Sequence, residues 1–163
     1  QLEKLNLQHC WYNDVYDRDQ RLFENNEGLT DDIIEDILIR STERILTKLR
    51  ASDWWKDYYR RRSNTAVSSV DIPALEIDKI KARQNDFTDL CVYTALAEYV
   101  LPKVADFGNE DNAERQKIGY YNNKSEALFG ELVTAGDWYD FDDDGTIASS
   151  EKEAGAFNLK RIR

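Results

Sequence analysis

The chain has 163 residues but no methionine, a single histidine, two cysteines and two prolines. One histidine and two cysteines supply too few ligands for a structural zinc site, which takes four. Methionine is missing even from position 1, so we do not take Gln1 as the native start of the polypeptide. No apolar run approaches the roughly 18 residues that predict a membrane-spanning helix, and no segment resembles a signal peptide. The sequence therefore predicts neither a zinc-stabilised domain nor a membrane protein.

The sequence also lacks the common patterns of catalytic and nucleotide-binding sites. Its seven glycines are scattered singly, and no G-x-G-x-x-G, P-loop or H-E-x-x-H pattern occurs. His9 adjoins Cys10, and neighbours in the chain rarely face each other as a nucleophile and its base must. Cys10 and Cys91 are expected to be reduced, partly buried thiols rather than a disulfide. We therefore expect that the protein is not an enzyme.

Acidic residues, by contrast, are in excess. The chain has 32 acidic and 22 basic residues, which give a net charge of −10 and an isoelectric point near 4.6. This charge disfavours the counterion release that drives proteins onto DNA. The mean hydropathy is low, at −0.71, but 41% of the residues are hydrophobic and 12% are aromatic. Such a composition is sufficient for the modest core of a single domain.

Apolar residues that recur at intervals of three and four predict several amphipathic helices. The predicted helices cover residues 31–50, 53–62, 86–104 and 111–133. Thr30 is a favourable N-cap for the first of them. Pro102 falls in the last turn of the third, where it should end or kink the helix, and Gly136 closes the fourth.

These patterns predict a mainly α protein, a small bundle of about four helices. Residues 29–135 form the helical core domain in this interpretation. Residues 1–28 show no period of a helix or a strand, and we expect an irregular arm or a short helix there. Residues 136–163 are expected to form an extended C-terminal arm.

Residues 140–151 match the calcium loop of the EF-hand, D-x-[DN]-x-[DN]-G followed by five residues and a glutamate. Calcium takes six to eight oxygen ligands in a flexible cage. The expected ligands are the carboxylates of Asp140, Asp142 and Asp144, the backbone carbonyl of Thr146 and both carboxylate oxygens of Glu151. Seven of the 32 acidic residues lie in residues 137–153 beside a single lysine, and their mutual repulsion favours a bound cation.

The flanks of this loop differ from those of an EF-hand. Residues 136–139 separate the predicted helix from the first ligand, and the segment after the loop has no strong apolar stripe. EF-hand sensors work in pairs, and the chain contains no second loop. A single loop indicates a structural calcium ion rather than a switch. A calcium-dependent binding or regulatory module of the EF-hand or dockerin type is the alternative.

Two basic segments are candidate partner-binding regions. Residues 53–62 combine aromatic side chains with three arginines, and we expect buried aromatics and arginines that pair with acids of a neighbouring subunit. Stacking on nucleic-acid bases is a weaker alternative for this segment. A second basic group ends the chain. The candidate partner-binding residues are Trp54, Arg60, Arg61, Arg62, Lys160, Arg161 and Arg163.

Taken in order, these features make residues 29–163 resemble the phage head-to-tail connector (neck adaptor) proteins. The resemblance lies in the succession of features along the chain, and residues 1–28 are outside it. The features are the helix with the sequence L-T-D-D-I-I-E-D-I-L at residues 29–38, the aromatic and arginine-rich turn at 53–62, the apolar helix at 89–102, the charged helix at 114–121 and the ending at 139–147.

The resemblance implies a helical subunit of a homo-oligomeric ring of twelve copies in the virion neck, assembled in the host cytoplasm. It implies contacts with the portal protein and with a downstream neck or tail protein, and none with a membrane. Genomic DNA would pass through the ring without sequence-specific binding, and an acidic wall would keep it from adhering. The calcium loop would then order the C-terminal arm, with Lys160, Arg161 and Arg163 binding the portal.

Overall fold

The structure is a computed structural model that describes residues 10–26, 28–62 and 72–152, without the side chains of residues 60–62. The helices in these ranges are α1 (Tyr12–Arg18), α2 (Gln20–Asn25), α3 (Asp31–Ala51), α4 (Asp53–Arg62), α5 (Gln84–Ala95), α6 (Leu101–Val104), α7 (Ala113–Ala135) and α8 (Ser149–Lys152). None of these helices has both the length and the apolar character that crossing a membrane requires. The prediction of a mainly α protein built as a small helical bundle is confirmed.

Helix α3 lies at the centre of the bundle and follows its sequence pattern closely. It begins at Asp31 after Thr30, as predicted, although the Thr30 side chain makes no capping hydrogen bond. Its apolar stripe faces α5, and the Ser41 hydroxyl donates a hydrogen bond to the Cys91 carbonyl at 3.0 Å. The buried hydrophobic residues of the stripe are Ile34, Ile37, Leu38, Ile45 and Leu49. Burial of this stripe, rather than capping, holds the helix in place.

The apolar helix predicted for residues 86–104 is continuous in the structure but changes its winding. A π-helical turn, Leu96–Val100, joins α5 to α6 immediately before Pro102. Proline has no backbone N–H to donate to the carbonyl four residues earlier, and π turns are a common way to absorb such a local irregularity. The helix ends at Val104, two residues beyond the proline, as the sequence predicted.

Helix α7 has a well-defined beginning and end. The Asn112 side chain accepts a hydrogen bond from the Arg115 N–H at 3.0 Å and caps the first turn. Gly136 ends the helix in the left-handed region, with φ of 56°, and its N–H donates to the Leu132 carbonyl at 3.1 Å. A Cβ atom on Gly136 would lie 2.9 Å from Trp54 Nε1, so this position also leaves no space for a side chain.

We expect Gly136→Ala to lower the free energy of unfolding by about 1–3 kcal/mol. Alanine is strained at the left-handed φ of this position, and its Cβ would also clash with the Trp54 indole. Gly130→Ala is the matched control, since a Cβ on Gly130 of α7 meets no atom within 4 Å. It should be neutral or stabilising by up to about 1 kcal/mol. Urea-induced unfolding measures both values, and equal stabilities of the two variants would contradict this account of Gly136.

For residues 1–28 we expected an irregular arm or a short helix, and residues 12–25 form two short helices. These helices belong to the core and not to an arm, because Cys10, Val15 and Leu22 are buried in the same hydrophobic cluster as the main bundle. The Asp14 carboxylate accepts a hydrogen bond from the Trp11 N–H at 2.7 Å at the start of α1. Each helix has only six or seven residues, which is too short for a helical period to emerge in the sequence.

Candidate metal centre

The chain approaches the predicted calcium loop as an extended segment. After α7 ends at Gly136, Tyr139 forms an isolated antiparallel bridge with Ile80. The Lys81 N–H donates to the Trp138 carbonyl at 3.0 Å, and the Asp140 N–H donates to the Lys79 carbonyl at 2.9 Å. The first predicted ligand therefore follows a short bridged strand-like segment and not the entering helix of an EF-hand, in agreement with the flanks seen in the sequence.

A cluster of aromatic side chains holds this segment on the bundle. The aromatic cluster consists of Trp54, Trp55, Tyr58, Trp138, Tyr139 and Phe141. Phe141, the second residue of the loop, stacks on Tyr58 with ring centroids 3.6 Å apart. The Tyr139 hydroxyl accepts a hydrogen bond from the Glu76 N–H at 3.1 Å. The prediction of an extended C-terminal arm is wrong for residues 136–141, because Trp138 and Tyr139 are buried core residues there.

The three aspartates predicted as metal ligands converge in the structure. One carboxylate oxygen from each of Asp140, Asp142 and Asp144 lies within 4.8 Å of the others. Asp140 is fully buried, whereas Asp142 and Asp144 are exposed, so the group has one inner and two outer members. Oxygen donors alone suit a hard cation such as calcium or magnesium.

Backbone hydrogen bonds curl the loop around the buried carboxylate. The Asp140 carboxylate accepts from the Asp143 N–H and from the Gly145 N–H, each at 2.8 Å. The Asp144 carboxylate accepts from the Thr146 N–H at 2.8 Å. Gly145 has a φ of 89°, which confirms the sharp turn that the glycine in this pattern predicts. These bonds orient the carboxylates of Asp140 and Asp144.

The Glu151 carboxylate, which the sequence pattern predicts as a bidentate ligand, binds backbone N–H groups of the loop in the structure. It accepts hydrogen bonds from the N–H groups of Phe141 at 2.6 Å, Asp142 at 3.1 Å and Ala148 at 2.7 Å. Within the described residues it is not part of the converging acidic group. Glu151 is the third residue of α8, and its side chain is only 1% exposed. Its bond to the Ala148 N–H caps the first turn of this helix, and its bonds to Phe141 and Asp142 close the loop.

The pKa values of Asp140 and Asp142 are shifted in opposite directions. Burial opposes ionisation of Asp140, but hydrogen bonds from the backbone N–H groups of Gly145 and Asp143 outweigh it and lower the pKa. Partial desolvation by the folded loop and the neighbouring charges of Asp144 and Glu151 raise the pKa of Asp142, although a hydrogen bond from the Asp144 N–H acts in the other direction. The repulsion at Asp142 is the interaction that a bound cation would relieve.

The predicted partner-binding residues are only partly within the structure. Trp54 is 3% exposed, with its ring 4.6 Å from that of Trp138, so its assignment as a partner contact is wrong. It is buried because residues 136–141, which the sequence placed in an arm, pack over it. The side chains of Arg60, Arg61 and Arg62, and residues Lys160, Arg161 and Arg163, lie outside the described part of the chain.

Among the described residues, Asp140, Asp142 and Asp144 are the one converging group of acidic side chains suited to a metal ion. Comparison of the chain with protein-family models, with curated protein sequences and with solved structures found no match.

Proposed function

We propose that residues 140–151 bind one structural calcium ion. The observation that carries this proposal is the convergence of three aspartate oxygens within 4.8 Å of one another. They lie on a loop whose hydrogen bonds already curl the chain around Asp140. The donor set fits a hard cation, and calcium accepts an irregular arrangement of oxygens more readily than magnesium does.

Several residues of the loop would supply oxygen ligands to the ion. Asp140, Asp142 and Asp144 would supply carboxylate oxygens, and the backbone carbonyl of Thr146 would add a further oxygen. Glu151, the remaining ligand proposed from the sequence, binds the backbone N–H groups of Phe141, Asp142 and Ala148 and would hold the loop closed around the ion. When bound, the ion would neutralise part of the negative charge of this segment. Calcium in this place would thus hold the loop closed against the aromatic cluster.

We further propose that the protein is a non-enzymatic structural subunit of a tailed phage, a ring-shaped head-to-tail connector in the virion neck. The succession of features along residues 29–163 and the mainly α bundle support this proposal. Its partners would be further copies of the chain in the ring, the portal protein and a downstream neck or tail protein. The net charge of −10 suits a channel wall past which DNA moves without binding.

Electron microscopy of the purified protein tests this assignment. We expect ring-shaped particles, either alone or after addition of the portal protein. Charge reversal at the chain end, by Lys160→Glu with Arg161→Glu, should leave the ring intact and weaken portal binding. A protein that remains monomeric in sedimentation at high concentration and ignores the portal would contradict the connector proposal.

The response to calcium separates a structural ion from the alternative, a calcium-dependent binding or regulatory module. The bridged segment before Asp140 provides no entering helix whose rotation could transmit a signal. We therefore expect calcium to raise the melting temperature while the far-ultraviolet circular dichroism and the binding of a hydrophobic dye stay nearly constant. A large gain in helicity or dye binding would instead favour the regulatory module.

A further inference from the structure

The N-terminal segment, residues 10–26, packs against α3 and α5 of the bundle. Arg18 forms an ion pair with Asp89 of α5 at 2.6 Å, and Lys117 of α7 forms one with Asp19 at 2.7 Å. The Asp19 side chain is only 8% exposed, so the second pair is partly shielded from water. These two pairs tie one short segment to two different helices of the core.

The same segment places a thiol beside a second thiol of the core. Cys10 and Cys91 are both fully buried, and neither is in a disulfide. The Cys10 sulfur lies 3.9 Å from the carbonyl oxygen of Thr88, which is one turn before Cys91 on α5. The neighbouring Cys91 thiol and burial raise the pKa of Cys10. Two cysteines that are 81 positions apart in the chain therefore lie close together in the core.

We propose that Cys10 and Cys91 are a redox-sensitive pair, which a small disulfide such as oxidised glutathione converts into an intramolecular disulfide that locks the N-terminal segment onto α5. The inference stands on the position of the two thiols and is independent of the calcium loop and of the connector assignment. It also goes beyond the expectation of two reduced thiols, because the sequence did not place the two cysteines together.

The reaction is a pair of thiol–disulfide exchanges. In the first, the thiolate of one cysteine attacks the small disulfide, forms a mixed disulfide and releases one small thiolate. In the second, the thiolate of the other cysteine attacks the protein sulfur of the mixed disulfide and releases the second small thiolate. The two cysteine protons pass to solvent or to the released thiolates. The protein loses two hydrogens, and the small disulfide is reduced to two thiols.

Access to the pair requires the N-terminal segment to open. Neither cysteine has exposed surface, so a small disulfide reaches a sulfur only when the segment leaves the core transiently. The ion pair of Lys117 with Asp19 opposes this opening. The rate of oxidation should therefore report how often the segment opens, and the disulfide should then suppress that opening.

Incubation of the full chain with oxidised glutathione tests the proposal. We expect loss of both thiols, a mass lower by two hydrogens and a Cys10–Cys91 peptide on digestion. The melting temperature should rise by roughly 10 °C, because the bond closes a long loop, and a dithiol reductant should reverse the change. Cys10→Ala, which retains Cys91, should show no such rise.

Two variants of α7 test the route to the thiols. Lys117→Gln should be oxidised roughly three- to tenfold faster than the wild type, since it loses a partly shielded ion pair. Lys124→Gln is the matched control, because its ammonium lies over the Tyr120 ring and takes no part in the two ion pairs of the N-terminal segment, so the oxidation rate should be unchanged. Equal rates for the two variants would overturn the opening step. Mixed disulfides without the intramolecular bond, or covalent dimers, would overturn the proposal.

Discussion

Replacing Trp138 with alanine is expected to lower the free energy of unfolding by about 3–5 kcal/mol, the range found for buried aromatic residues. Trp138 is fully buried, and its ring lies 4.6 Å from that of Trp54 and 4.7 Å from that of Phe87. Its indole N–H donates to the Leu132 carbonyl at 2.8 Å, so the variant loses a hydrogen bond as well as packing. The substitution would leave a cavity between the segment that precedes the loop and the bundle.

Urea-induced unfolding measures this effect, and Trp11→Ala provides the matched control. The Trp11 side chain is 46% exposed, and its loss should cost about 0.5 kcal/mol or less. A loss at Trp138 of under about 1 kcal/mol would contradict the placement of residues 136–141 in the core.

Asp140→Asn is expected to have the largest effect on metal binding. In the proposed site it removes the charge of the buried ligand, and it also disturbs the bonds from Asp143 and Gly145, because an amide has one acceptor oxygen instead of two. We expect calcium affinity weaker than about 10⁻³ M, the limit for loops of this kind. The lost backbone acceptor should also destabilise the protein by about 1–3 kcal/mol without calcium. Thermal unfolding at increasing calcium concentration should then show no shift for the variant.

Asp143→Asn is the matched control for this charge change. Asp143 lies in the same loop but outside the converging group, and asparagine tolerates its φ of 61°. The control should keep a calcium-dependent rise in melting temperature, reduced only by the loss of one nearby charge. Equal calcium responses of Asp140→Asn and Asp143→Asn would show that the general acidity of the segment, and not a defined site, attracts the ion.

The features that the sequence predicted well are those set by local chemistry. The apolar stripe of α3 fixed both its extent and its buried face, and Gly136 ended α7 because the left-handed region is open to glycine. The turn at Gly145 and the convergence of the aspartates also follow from the loop pattern, in which alternate aspartates precede a glycine that permits the sharp turn. Each of these predictions needs only a few consecutive residues.

The features that the sequence did not predict depend on contacts between distant segments. The burial of Trp54 requires residues 136–141 to pack over α4, and no local sequence pattern predicts this packing. The proximity of Cys10 to Cys91 likewise depends on how the N-terminal segment meets α5. Glu151 is a local exception: its spacing fits a metal ligand, but it is also the third residue of α8, where its carboxylate accepts a hydrogen bond from the Ala148 N–H at the start of the helix.

Isothermal titration calorimetry of the metal-free protein with calcium tests the central claim most directly. We predict one calcium ion per chain, with an affinity within the roughly 10⁻⁹ to 10⁻³ M range of such loops. A calcium concentration of about 100 times the dissociation constant should stabilise the fold by about 2.7 kcal/mol. Magnesium should bind more weakly, because it demands a stricter octahedral arrangement. Absence of a binding heat, together with a melting temperature that does not respond to calcium, would contradict the claim and leave residues 140–151 as an acidic turn closed by its own hydrogen bonds.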